Sequence, residues 1–168
     1  MLAFEAEVAQ PYRIPSALME PTLHCARPAA GCLAHFSDRV IALRLAYRFR
    51  DPHRGEIVVF KSPPAAAACG GEHGDFVKRV LGLPGDRVSE ARGYVYVNGR
   101  RLREAYVDAA FRDSRTASWP RVPPGEYFMM GDNRRDSCDS RTWGPVPKKD
   151  LIGPVVLTYW PPNRITIR

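Results

Sequence analysis

The stretch Asp75-Phe-Val-Lys-Arg-Val-Leu-Gly-Leu-Pro-Gly-Asp86 decides how the rest of the chain is read. Between Phe76 and Leu81 it is β-branched and apolar apart from Lys78 and Arg79, which predicts a short strand stopped by a turn over residues 82–85. Side chains alternate across a strand, so Lys78 shares its face with Phe76 and Val80, and that face is apolar. A lysine there is pushed toward its neutral form, and a neutral amine acts as a general base or nucleophile near neutral pH. The plainer alternative is a lysine that snorkels to solvent or pairs with a carboxylate.

Working outward, residues 55–61 form a second, more continuously apolar strand. Residues 38–49 form a long alternating segment, and the turn Arg50-Asp-Pro-His-Arg-Gly55 is expected to join the two as a hairpin. On the other side, residues 87–89, 94–97 and 100–102 read as short strands, with Asn98-Gly99 as a strong hairpin signal. Residues 126–130 and 152–160 close the chain as strands. Pro11, Pro15 and Pro21 exclude a helix from residues 11–23, leaving an extended edge segment. Residues 25–37 read as a surface loop, residues 62–74 as a flexible loop rich in Pro, Ala and Gly, and residues 103–124 as a polar, exposed connection. The expected fold is mostly β, with antiparallel sheets and long Pro/Gly-rich loops. One domain is expected over residues 1–168, its core at 11–61 and 75–160.

The composition agrees. The chain of 168 residues carries 16 prolines and 13 glycines between β-like runs, which argues against a helical bundle. Its 25 Lys plus Arg against 18 Asp plus Glu leave a net charge of +7. That charge is scattered, as on a solvated face, rather than gathered into a patch for nucleic acid or an anionic membrane. No internal repeat and no helix-turn-helix pattern occurs. No run approaches the ~20 apolar residues that span a bilayer, and residues 1–10 lack the basic and apolar regions of a signal peptide.

Of the four cysteines, Cys25 and Cys32 enclose a short loop and are candidates for a disulfide; Cys69 and Cys138 are candidates for a second. His24 and His35 flank the first pair, so a metal site is the competing reading, although the spacing matches no standard zinc pattern.

Directly after the apolar run 127–130 comes Gly131-Asp-Asn-Arg-Arg-Asp-Ser-Cys-Asp-Ser-Arg-Thr-Trp-Gly144. It is either a solvated turn or, if buried, a connected polar network, and such networks fix geometry.

Three blocks carry a resemblance: Ile14-Pro-Ser-Ala-Leu-Met-Glu-Pro-Thr-Leu23, residues 75–86, and residues 131–144. In order and spacing they resemble type I signal peptidases, membrane-associated serine endopeptidases that remove signal peptides from exported proteins. The resemblance runs from about Pro11 to Trp160 and includes residues 55–60 and the Leu151-Ile-Gly that opens the closing strand. It implies an antiparallel fold of the signal-peptidase type and a Ser/Lys dyad. Lys78 matches the general base and Ser137 the hydroxyl that orients it. Asp139 and Arg141 match the supporting charged pair. Ser16 matches a hydroxyl that joins the backbone N–H of residue 18 in stabilising the oxyanion. No metal and no organic cofactor is implied. The implied partners are signal peptides of secreted preproteins, bound as an added strand beside residues 14–18, and a membrane surface at the extracytoplasmic face; no nucleic acid is expected.

The chain departs from the family pattern at the nucleophile, because Leu18 stands where the family has serine. A natural pseudoenzyme that binds peptides without cutting them, a substitution in an otherwise active lineage, and replacement by Ser16 are the three accounts of that residue. The last is disfavoured on a strand, where two residues displace the hydroxyl by roughly 6.6 Å. A second departure is the lack of a visible transmembrane anchor ahead of the first block. Either this is a piece or an alternative start, or the chain touches the membrane through an apolar surface near Met19 and the closing strands. Self-cleaving repressors also use a Ser-Met strand and a distant lysine, but no DNA-binding helix pair precedes the blocks.

Overall fold

The computed structural model describes residues 8–69 and 74–168. Its centre is β3 (Ile57–Lys61), whose Ile57, Val58, Val59 and Phe60 are all buried. Alternation divides them between two cores. Ile57 and Val59 pack with Ile14, Met19, Leu23, Val40, Ala42 and Val155, while Val58 and Phe60 pack with Tyr47, Val80, Tyr127, Met129 and Leu151.

β4 (Asp75–Gly82) runs antiparallel to β3, with Val58 opposite Lys78 and Val59 opposite Val77. Its far end, from Arg79 to Gly82, pairs with β9 (Glu126–Met130), which continues to β10 (Val146–Pro147). On the other flank, β1 (Ala9–Arg13) pairs with β2 (Arg39–Leu43). The closing strand, β11 (Leu151–Trp160), lies between β2 and β3, and β12 (Thr166–Ile167) adds to it, completing an eight-stranded sheet. A second, four-stranded sheet contains β5 (Val88–Ala91), β6 (Tyr94–Val97), β7 (Arg100–Arg101) and β8 (Ala117–Ser118). It packs Val88, Val95 and Val97 against Leu81, Phe128 and Met130. The β6–β7 turn has positive φ at Asn98 and Gly99, as the Asn-Gly signal requires.

The mostly β, antiparallel expectation holds, with four local corrections. Residues 38–61 are not a hairpin: β2 and β3 each pair with opposite ends of β11. The insertion needs the backbones to approach at Gly153, where a Cβ would collide with the Leu43 carbonyl. The alternating segment also breaks after Leu43 into a helix, Ala46–Phe49, which buries Tyr47 and leaves Phe49 exposed. Residues 11–23 include a 3₁₀ turn, Ala17–Met19, stitched by Glu20 N–H donating to Ala17 O; Pro15 and Pro21 flank it without entering it. Within 62–74, Pro64–Cys69 forms a 3₁₀ helix, and residues 70–73 lie outside the described residues. Residues 103–124 are not merely exposed, since Glu104, Val107 and Val122 are buried.

Both disulfides form, Cys25–Cys32 and Cys69–Cys138. The first takes both sulfurs from the metal reading. His24 Nδ1 is bonded instead to Glu20, whose other oxygen accepts from the N–H groups of Cys25 (3.1 Å) and Leu33 (3.3 Å).

Candidate active site

Lys78 lies on β4, and its 1% exposure makes it one of the most buried long side chains. Strand alternation places it between Phe76 and Val80, as the sequence predicts. Its Nζ is 5.9 Å from the Phe76 ring centroid, and that ring stacks on Trp143 at 5.5 Å. Among the described residues the Nζ has no hydrogen-bond partner, so neither snorkelling nor a direct carboxylate pair describes it. Burial drives its pKa down from 10.5 to about 8; Asp139 and Asp132 oppose that fall, and Arg141 adds to it.

The polar run after β9 is a buried network, not a solvated turn. Asp139 and Ser140 are fully buried and hold the ends of the loop: Gly131 N–H donates to Asp139 Oδ2 (3.1 Å) and Met129 N–H to Ser140 Oγ (2.9 Å). Asp139 also caps the helix Ser140–Trp143. The Arg141 guanidinium grips Asp139 with two hydrogen bonds, Nε to Oδ1 at 2.8 Å and a terminal nitrogen to Oδ2 at 3.0 Å. Burial alone would raise the Asp139 pKa, but Arg141 overcomes it and holds the carboxyl below the usual range.

Leu18 approaches this loop through its backbone. A Cβ on Gly131 would collide with both the Leu18 carbonyl oxygen and Ser137 Oγ, so only glycine permits that packing. Asn133 fixes the turn from the same side: its N–H donates to Leu18 O (3.2 Å) and its side-chain amide to Ala17 O (3.1 Å). Among the described residues, Ser137 Oγ, like Lys78 Nζ, is buried without a hydrogen-bond partner, so the bond expected between the two is not formed. Ser16 precedes the 3₁₀ turn and makes no capping bond to it, which leaves its hydroxyl uncommitted to that turn. Because the chain turns after Ser16, positions 16 and 18 do not lie along one strand as the sequence predicts.

Leu18, Ser16 and Lys78 line one cleft of about 160 Å³, with Tyr12, Met19 and Phe76 among its other walls. Met19 is only 2% exposed, so it belongs to the core and offers no membrane-facing surface. Among the described residues, one wall of the cleft is a strand edge without a partner strand. Residues 75–78 pair with β3 on one side, whereas β9 begins its pairing with β4 only at Arg79.

Several members of the network carry no individual signal in the sequence. Arg79 binds Asp132 through two hydrogen bonds (2.9 and 2.6 Å), and Thr22 Oγ1 donates to the same carboxylate at 2.5 Å, tying the first block to the third. Arg134, 1% exposed, pairs with Glu104 and donates to Gly131 O at 2.9 Å. Asp113, from the connection read as exposed, accepts from Arg141 at 2.7 Å. An acidic or basic residue gives no hint of burial in the sequence unless its partner is also identified.

The model of the family described as signal peptidase, peptidase S26, matches residues 1–160. The chain belongs to this signal peptidase family. Among its signal peptidase relatives, a probable signal peptidase I-2 of Synechocystis sp. is 42% identical over 94% of this chain and 66% of that protein. A signal peptidase I of Leptolyngbya laminosa is 35% identical over 98% and 75%. A probable chloroplastic thylakoidal processing peptidase 2 of Arabidopsis thaliana is 37% identical over 98% of this chain and 42% of that protein. The chain therefore spans less than two thirds of the Synechocystis and Arabidopsis relatives. The crystal structure of a signal peptidase I from Enterococcus faecalis V583 superposes with a TM-score of 0.52 at 30% identity, covering 62% of this chain and 97% of that one. Among the described residues, no helix is long and apolar enough to cross a membrane.

Proposed function

We propose that the chain is built as a serine endopeptidase of the signal peptidase I type, acting on signal peptides of exported preproteins, with residues 11–61 and 75–160 as one catalytic core. The observation that carries this reading is Lys78: a buried amine without a hydrogen bond, its pKa lowered to about 8, in the cleft that also holds Leu18. A lysine so placed is deprotonated at mildly alkaline pH and accepts a proton from a hydroxyl.

With serine at position 18, Lys78 takes the hydroxyl proton as the oxygen attacks the scissile carbonyl, and returns it to the leaving amine. Water then repeats the sequence on the acyl-enzyme. The N–H of residue 18 and the Ser16 hydroxyl receive the developing oxyanion. The Ser137 hydroxyl, not bonded to Lys78 in this structure, is assigned to orient the lysine as it reacts, and the Asp139–Arg141 pair fixes the loop that carries Ser137. The substrate enters as an extended strand between residues 12–16 and the open edge of residues 75–78, where main-chain pairing tolerates varied sequence and a small cleft selects small side chains. The exposed Phe36, Trp160, Ile165 and Ile167 support contact with a membrane surface on the extracytoplasmic side.

Leu18 has no nucleophilic atom, so the chain as it stands is impaired in this chemistry. That favours the alternative of a peptide-binding module that keeps the cleft. The deciding experiment is cleavage of a fluorogenic peptide with an Ala-x-Ala site by the chain and by Leu18→Ser. Cleavage by Leu18→Ser alone supports the peptidase scaffold; binding without cleavage by both folded proteins supports the binding module.

A further inference from the structure

Glu90 lies on β5 between Val95 of β6 and Ala117 of β8, with its side chain fully buried. Among the described residues, neither of its carboxylate oxygens has a hydrogen-bond donor. The nearest cation, Arg141, is 3.7 Å away and already engaged by Asp139 and Asp113. A second carboxyl group crowds the same cation: Glu90 Oε2 and Asp113 Oδ2 both approach one terminal nitrogen of Arg141, at 3.7 and 2.7 Å. Two ionised carboxylates crowded on one guanidinium nitrogen repel each other, and a proton on one of them relieves that repulsion.

The surroundings decide which carboxyl carries it. Asp113 faces Arg141 at 2.7 Å and Arg115 at 3.8 Å, and its side chain keeps 15% exposure. Glu90 has no exposure, and the other charge felt there, Arg134, is spent on Glu104. Arg112, from the same connection as Asp113, points to Gly93 O, the Tyr94 ring and Glu104.

We propose that Glu90 is held as a neutral carboxylic acid donating its proton to Asp113, and that it is a positioning residue for Lys78 because, uncharged, it leaves Arg141 to Asp139. Burial raises the Glu90 pKa to about 7 against the pull of Arg141, below the value of about 8 for Lys78. Glu90 therefore ionises in the pH range in which Lys78 loses its proton. Its new charge competes for Arg141, leaves Asp139 less neutralised, and favours the ammonium form of Lys78. The two titrations oppose each other along the path Glu90, Arg141, Asp139, Lys78. The catalytic meaning of this coupling rests on the peptidase reading; the proton on Glu90 does not.

The test is carbon-13 NMR of side-chain carboxyl and lysine Cε resonances across pH, without substrate, in the chain and in Glu90→Gln. A Glu90 carboxyl titrating well above the other glutamates, together with a lower Lys78 midpoint in Glu90→Gln, is the expected result. A Glu90 carboxyl in the ordinary glutamate range overturns the shared proton, and an unchanged Lys78 midpoint overturns the positioning role. Should Glu90→Gln fail to fold, Asp113→Asn serves: the Glu90 midpoint falls if the pair shares a proton, and an unmoved midpoint overturns it. Failure of Leu18→Ser to cleave peptide affects neither readout, so the two ideas fail separately.

Discussion

The backbone N–H of Asn133 donates to the carbonyl of Leu18 at 3.2 Å, and its side-chain amide donates to the carbonyl of Ala17 at 3.1 Å. One residue of the third block thus holds two successive carbonyls of the first, and the N–H of residue 18 is oriented by the turn those bonds secure. Removing the amide leaves Ala17 O buried without that donor, which typically costs ~1–3 kcal/mol. Small displacements in such sites are expensive, about 100-fold per ångström. Asn133→Ala in the Leu18→Ser background is therefore expected to lower kcat/KM by roughly 10- to 100-fold with a modest loss of Tm, read from peptide cleavage and a thermal melt.

Lys78 makes a stability prediction that needs no activity. Its folded pKa, about 8, lies below the unfolded value of 10.5. The unfolded state therefore binds more protons between those two values, and stability rises with pH across that window. Below it, the cost of a buried ammonium is present in full, on the order of 3 kcal/mol. Lys78→Met is expected to be more stable than the chain at pH 7 by roughly 1–3 kcal/mol, with the difference closing toward pH 10.5. Urea melts at several pH values measure it; a variant less stable at pH 7 contradicts the buried, unpartnered amine.

Glu90 bends the same curve from the acid side. Its folded pKa, about 7, lies above the unfolded value of 4.5. The stability it contributes is complete below pH 4.5 and is lost as pH rises through 7. Between pH 4.5 and 7, Glu90→Gln should flatten the fall that the unsubstituted chain shows. Parallel curves for the two proteins in urea melts would contradict it.

What the sequence reveals about this molecule follows the range of the interactions involved. Lys78 was legible because strand alternation is a local rule, and Phe76 and Val80 settle its face. The β6–β7 hairpin was legible for a similar reason, since Asn98-Gly99 fixes its own turn. The supposed hairpin over residues 38–61 failed because β11, about a hundred residues later, lies between its two strands, and no local signal in residues 50–55 reports that. The 3₁₀ turn at Ala17–Met19 was hidden by flanking prolines that suggest extended chain, whereas Asn133 supplies the bonds that secure it. Glu104 and Asp113 were read as exposed because hydropathy counts a charge as surface; Arg134 buries the first, and Arg141 draws the second partly inward.

The Asp132 carboxylate links three segments, accepting two bonds from Arg79 and one from Thr22. Its loss leaves Arg79, 8% exposed, without its anion. Breaking a buried pair on one side typically costs ~3–5 kcal/mol, so Asp132→Ala is expected to fall in that range, whereas Thr22→Val, which removes a single donor, should cost about 1 kcal/mol. Urea denaturation of both variants gives the comparison. Equal losses would mean that Arg79 finds water or another partner.

The two disulfides should behave differently on reduction, because they close loops of different length. Cys25 and Cys32 are separated by 7 residues and Cys69 and Cys138 by 69. In the chain-entropy account the short loop contributes about 2.5 kcal/mol and the long one about 4 kcal/mol. The longer bridge also reaches the site, since Cys138 sits between Ser137 and Asp139. Cys69→Ser with Cys138→Ser is expected to lower Tm more than Cys25→Ser with Cys32→Ser. In the Leu18→Ser background it should also reduce kcat, because the loop carrying Ser137 loses its covalent tether to the 3₁₀ helix Pro64–Cys69. The Cys25–Cys32 pair braces the loop after the first block, away from Ser137, so its loss should change Tm with little change in kcat. Thermal melts and peptide cleavage of the two double variants separate these effects. An equal loss of kcat in both would show that the Asp139–Arg141 bonds hold the loop without help from the longer bridge.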